Sequence, residues 1–207
     1  QMATKYQLAA KGAEIELDML GRTMGKQDHF ATAYGNLNVF TFHADEKVTV
    51  EPVFYRPETR TELEKNLLMF YTRLKRDASE VLTSQEQVTH NKREVLRQMR
   101  DLVPELRDIL ARGVNLNRFG EILHAGWELK RSITSEISNS EIDEYYHRAR
   151  RAGALGGKLL GAGGGGFLLF YVEPQNQQRV IESLQELYHI QVGLDAGGSR
   201  ITYYDQT

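Results

Sequence analysis

The densest chemical signal in the chain is a run of glycine. Between Gly153 and Gly166 eight of fourteen residues are glycine, and "KLLGAGGGGF" at Lys158–Phe167 sits between two apolar stretches, Leu159-Leu160 and Phe167-Leu168-Leu169-Phe170. Consecutive glycines reach φ > 0, turn several backbone N–H groups to one side, and admit an anion or a second backbone where a Cβ would clash. A linker would carry polar flanks. A tight hairpin needs only one or two glycines. A Walker-type loop would end in Gly-Lys-Ser/Thr, and both it and a dinucleotide-binding turn would lead into a helix. Here Phe167 opens a strand-like run, which excludes both.

Two carboxylates stand apart from the other acidic residues. In a helix expected over residues 5–20, Leu8, Ala9, Gly12, Ala13, Ile15, Met19 and Leu20 share one arc, with Lys11, Glu14 and Asp18 opposite. Glu16 projects within the apolar arc. A carboxylate there costs several kcal/mol unless it is paired or binds a metal, so an edge salt bridge and a metal site both stay open. Asp28 lies in "RTMGKQDHFATAYG", expected to be a loop with at most a short helical turn. An Asp in a Gly-rich loop is usually a turn or cap residue. Lys26, two residues earlier, could favour its ionised form by proximity, or could simply be a solvated surface lysine.

The elements that must position these groups mix helices and strands. Gly21 stops the first helix. Val39–Phe42 and Val48–Val50 read as strands paired across "HADEK", and Pro52 and Pro57 mark a connection. "LLMFYT" at 67–72 is a buried strand. Helices are expected at 76–83, 86–111 (interrupted near Pro104), 115–131 and 140–152, the last opened by Ser140 and Asp143 in a capping-box pattern. Strands at 156–160 and 167–172 flank the glycines. Pro174 opens a helix to about Tyr188, and short strands at 190–193 and 199–204 close the chain. Helices with a small antiparallel sheet make the fold class α+β. Trp127, Tyr145-Tyr146 and Tyr203-Tyr204 read as packing residues, and His124 and His147 as structural or surface groups.

Composition limits the function. The 207 residues suit one domain or two small ones, and a net charge of −2 gives no nucleic-acid footprint. The absence of cysteine removes disulfides, thiolate zinc sites and a cysteine nucleophile, and fits a reducing compartment. No apolar run approaches the roughly 20 residues of a membrane span. The six histidines show no metal-ligand spacing. Gln1-Met2-Ala3-Thr4 holds no apolar signal core and does not begin with Met.

"KLLGAGGGGF" resembles the third conserved motif of the GHMP kinases, and "MGKQDHFATAYGNLNVFTF" at Met24–Phe42 resembles the segment carrying that family's catalytic aspartate. Within the family the chain is most similar to the heptose 7-phosphate kinases, through "LMFYTRLKRDASEVL", "ILHAGWELKRSITSEIS" and "GSRITYYD", and the likeness covers essentially the whole chain. The resemblance implies residues 1–55 as a remnant of the N-terminal domain and 56–207 as a ferredoxin-like C-terminal domain. It implies that the family's upstream phosphate-loop motif is missing, so that the chain corresponds to the C-terminal two thirds of such a kinase and would be inactive alone.

It further implies ATP and Mg2+ as cofactors, with Asp28 orienting or deprotonating the acceptor hydroxyl and Glu16 holding the metal. Gly161, Ala162, Gly163, Gly164, Gly165 and Gly166 would lie beside the phosphates. The acceptor would be the anomeric hydroxyl of D-glycero-D-manno-heptose 7-phosphate, in nucleotide-heptose biosynthesis. Its phosphate needs cations, and Arg76, Lys130 and Arg131 lie in the most similar segments, with Arg73 and Arg22 as weaker candidates. The expected partner is a small-molecule sugar phosphate in the cytoplasm, with a homodimer as the candidate assembly and no nucleic acid or membrane. The alternatives are another GHMP kinase, galactokinase-like or mevalonate-kinase-like, and a non-catalytic fragment or sugar-binding protein.

Overall fold

The computed structural model describes residues 3–74 and 78–202. The described residues divide into two compact units: those up to Val53 together with 194–202, and those within Phe54–Gly193. The break falls beside the boundary expected near residue 55. The C-terminal segment from Leu194, however, packs with the first unit instead of continuing the second.

In the first unit, α1 (Lys5–Glu14) is opened by Thr4, whose hydroxyl accepts from the Gln7 N–H while the Gln7 side chain reaches back to the Thr4 N–H. Past Glu14 the helix changes pitch. Ile15–Met19 is a π turn in which Leu20 N–H donates to the Ile15 carbonyl, and Gly21 at φ 62° ends it. A π turn adds a residue to the repeat, so a 100° projection fails beyond Glu14. Ala9 and Ala13 are buried as expected, but Ile15, Met19 and Leu20 are exposed, and so is Leu8, which precedes the π turn.

The expected loop contains α2 (Gln27–Tyr34). Phe30 and Ala33 bury its inner face against α1 and a hairpin of β1 (Asn38–Phe42) and β2 (Val48–Pro52). Phe30 packs edge-on to Tyr6, Phe40 and Phe42 at 5.4–6.4 Å, a geometry worth about 0.5–1.5 kcal/mol per pair beyond area burial. The C-terminal segment is tied on by backbone. Asn36 N–H donates to Asp195, Ser199 N–H donates to Thr32, and Lys5 bridges the carbonyls of Tyr34 and Gly197. A Cβ on Gly35 would fall 2.2 Å from the Gly198 nitrogen. Residues 199–202 form no strand; the rest of that expected strand lies outside the described residues.

The second unit carries a four-stranded antiparallel sheet built from β3 (Leu67–Tyr71), β4 (Gly156–Leu159), β5 (Phe167–Tyr171) and β6 (Tyr188–Ile190), in the order β4-β5-β3-β6. With helices crossing between β3 and β4 and between β5 and β6, this is the ferredoxin-like arrangement. Before β3 comes α3 (Pro57–Lys65), a helix the prolines had suggested was a connection. Pro57 is its first residue, where a missing N–H costs nothing.

The expected helices at 76–83 and 86–111 are differently divided. The structure has α4 (Ala78–Thr89), a 3-10 turn, α5 (Arg93–Asp101) and α6 (Val103–Arg112), with Pro104 in the first turn of α6. Next come α7 (Leu116–Arg131) and α8 (Ser140–Ala152). The cap of α8 is Asn139, whose side chain accepts from Glu141 and Ile142 N–H; Ser140 is the first helical residue. Finally α9 (Pro174–Ser183) leads to β6, which runs over 188–190 instead of the expected 190–193. Trp127, Tyr146, Phe70, Leu168 and Phe170 fill the core between sheet and helices, as the packing role expected of Trp127 and Tyr146 requires. No helix among the described residues is long and apolar enough to cross a membrane.

Candidate active site

In the first unit Glu16 and Asp28 line one shallow cavity of about 330 Å3, together with Gly12, His29, Thr32 and Ser199. The π turn sets the direction of Glu16, and Asp28 stands exposed in the first turn of α2, where a carboxylate suits the positive end of the helix. Glu16 is ion-paired: one oxygen lies 3.2 Å from Arg22 and the other 3.4 Å from His29 Nε2. The His29 ring is largely covered, and its Nδ1 has no hydrogen-bond partner. Gly12 admits this ring, since a Cβ there would be 3.2 Å from it. Lys26, the expected neighbour of Asp28, instead pairs with Glu46. No group of three or more His, Cys, Asp or Glu able to hold a metal occurs among the described residues. Any Mg2+ would therefore take one or two carboxylates from here and complete its shell with phosphate and water oxygens.

In the second unit the glycines join β4 to β5, so the hairpin exists, but its loop is also fastened sideways. Gly164 N–H donates to Ile137 and Gly166 N–H to Leu74. The buried Thr72 hydroxyl donates to the Gly166 carbonyl and accepts from its N–H. Gly161, Gly163, Gly164 and Gly166 have φ between 75° and 133°. A Cβ on Gly165 would fall 2.4 Å from the Leu74 carbonyl oxygen, and one on Gly163 2.8 Å from Ile137. The N–H groups of Gly161, Ala162, Gly163 and Gly165 have no hydrogen-bond partner among the described residues. They supply the donors that an anion-binding loop requires.

The cations expected to hold a substrate phosphate separate into different situations. Lys130, near the end of α7, donates to the Gly161 carbonyl at 2.6 Å. Burial, with Lys158 nearby, pulls its pKa down to about 8. Arg131 is committed to Glu128 and Asp143, each at 3.0 Å, and Asp143 also accepts from Ser138. Arg76 lies outside the described residues. Lys158 was missed at the sequence level. Its signal was a lysine in a strand otherwise made of glycine and leucine.

Residues 110–190 match the family model of the GHMP kinases C terminal. The D-glycero-alpha-D-manno-heptose 7-phosphate kinase of Campylobacter jejuni is 28% identical over 184 residues, 88% of this chain and 54% of that protein. The crystal structure of a D-glycero-D-manno-heptose 1-phosphate kinase from Bacteriodes thetaiotaomicron aligns over 98% of this chain and 57% of its own, with TM-score 0.71 and 23% identity. Streptococcus pneumoniae phosphomevalonate kinase, in complex with phosphomevalonate and AMPPNP, aligns over 93% of this chain and 62% of its own at TM-score 0.70 and 14% identity. This chain spans about half the length of the curated relative it matches. The α+β fold is that of these kinases, and it is residues 110–190 that carry the likeness to the GHMP kinases C terminal.

Proposed function

We propose that the chain serves an ATP- and Mg2+-dependent sugar kinase that phosphorylates the anomeric hydroxyl of D-glycero-D-manno-heptose 7-phosphate in the cytoplasm. The reading is carried by one observation: Glu16 and Asp28 share the walls of one cavity, in a chain 28% identical to a heptose 7-phosphate kinase. Asp28 accepts the proton of the acceptor hydroxyl as that oxygen bonds to the γ-phosphorus and ADP leaves. The free N–H groups of Gly161, Ala162, Gly163 and Gly165 receive phosphate oxygens, and Gly164 and Gly166 hold the loop in shape. Glu16 would hold Mg2+, which when bound neutralises phosphate charge. Lys130 is a ligand of the acceptor phosphate. Arg76 and Arg131 complete the proposed cationic set, the latter only by releasing Glu128 or Asp143.

The test is ADP release by the complete protein that carries this chain together with its upstream residues, with ATP, Mg2+ and heptose 7-phosphate. Turnover with this sugar, lost in Asp28→Asn while AMPPNP binding and the far-UV circular dichroism persist, supports the reading. No turnover with any heptose phosphate, or full activity in Asp28→Asn, overturns it.

A further inference from the structure

A second cavity, of about 130 Å3, lies among α5, α6, α7 and β4. Its walls are apolar, with Met99, Leu102, Leu106 and Trp127 among them, yet two lysines, Lys130 and Lys158, reach into the same space. Among the described residues neither amine has a carboxylate within ion-pairing distance, Lys158 makes no hydrogen bond, and the one partner of Lys130 is the Gly161 carbonyl. Trp127 is 1% exposed, and its indole N–H has no acceptor among the described residues. Three arginines of this unit are treated differently: Arg118 has Glu105 and Glu121, Arg131 has Glu128 and Asp143, and Arg148 has Glu186.

Two ammonium groups against one apolar wall repel each other and lose hydration, a cost that a leucine or methionine at either position would avoid. Burial lowers the pKa of both amines, which expresses the same cost. An anion with two negative charges and several acceptor oxygens would remove it. A phosphate monoester has both, and an ammonium on a flexible stem can turn three donors towards it. At roughly 30 Å3 per water, the cavity has the room of about four waters. That accommodates a phosphate head.

We propose that Lys130 and Lys158 form the receptor for the phosphate group that a sugar phosphate already carries, with the apolar floor of α5, α6 and α7 beneath it. The kinase reading supplies the sugar phosphate as the source of this group; the receptor itself is read from the cavity.

Trp127 is the only tryptophan in the chain, so its fluorescence reports on the cavity. The full chain is titrated with sedoheptulose 7-phosphate, inorganic phosphate and AMPPNP, each against sodium chloride at matched ionic strength. The expected result is a saturable change with sedoheptulose 7-phosphate and, more weakly, with inorganic phosphate. Lys158→Met should weaken both at least tenfold with unchanged circular dichroism, and Lys158→Arg should restore most of the affinity. No saturable change with either phosphate, or equal affinity in Lys158→Met, overturns the proposal. A response to AMPPNP alone also overturns it, by giving the cavity to the nucleotide. The two readings fail separately. Sugar-phosphate binding here without ADP release removes the kinase reading alone, and ADP release with an unchanged sugar KM in Lys158→Met removes the receptor alone.

Discussion

The ammonium of Lys130 is hydrogen-bonded to the carbonyl oxygen of Gly161 across 2.6 Å, tying the last turn of α7 to the first residue of the glycine run. One half-buried amine thus faces both the cavity and the loop. Its charge is held at a cost, because burial moves its pKa from 10.5 to about 8.

That cost gives stability a particular pH dependence. Between about pH 8 and 10.5 the unfolded chain keeps a proton on Lys130 that the folded chain has lost. The penalty is complete below about 8, and stability should rise with pH across this window. Urea denaturation at pH 7, 8, 9 and 10 checks it. The rise should shrink in Lys130→Met, which should also be more stable than the parent at pH 7.

The glycines of the loop should not be equivalent. An added methyl at Gly165 meets the Leu74 carbonyl oxygen at 2.4 Å, whereas one at Gly161 meets nothing within 4 Å. Gly161→Ala should cost only the left-handed backbone penalty, about 1–2 kcal/mol. Gly165→Ala should cost more, because either the loop or the β3 end must move. Thermal melts of the two variants give the comparison, and equal losses would contradict the packing described here.

Thr72 fastens that same corner with one hydroxyl. It donates to the Gly166 carbonyl and accepts from Gly166 and Leu74 N–H, at 2.9–3.3 Å. Thr72→Val keeps the shape, takes one of two partners from the Gly166 N–H and carbonyl and leaves the Leu74 N–H with none among the described residues, so it should destabilise by about 1–3 kcal/mol. Amide hydrogen exchange at Gly166 should quicken before global unfolding does.

Glu16 is predicted to matter through charge. Glu16→Gln should raise the Mg2+ concentration needed for half-maximal turnover while leaving the melting temperature within a few degrees, because Arg22 is exposed and the glutamine oxygen can still accept from it or from His29. A metal requirement identical to that of the parent chain would take Glu16 out of the site.

The second unit was easier to read from the sequence than the first, for physical reasons. Strands 67–71, 156–159 and 167–171 are continuous apolar or glycine runs with clear punctuation, and α7 and α8 carry long periodic faces. The first unit hides its elements. The eight residues of α2 bury only Phe30 and Ala33, too few for a periodic signal, and the one helix missed in the second unit, α3, likewise buries only Thr59 and Leu63. The π turn breaks the repeat by which Ile15, Met19 and Leu20 were assigned inward.

At the site, residue types and family likeness picked out Glu16, Asp28 and Lys130. Pairing could not be read that way: Arg22 and His29 on Glu16, Glu46 on Lys26, and Asp143 on Arg131 are contacts between residues 6 to 20 positions apart in the chain.

The return of residues 194–202 to the first unit also orders the birth of the molecule. Translation delivers Phe54–Gly193 in full while α2 still lacks Asp195 and Ser199, whose backbone bonds to Asn36 and Thr32 close that body. The first unit therefore cannot close over its Gly35 groove until the whole of the second has been synthesised.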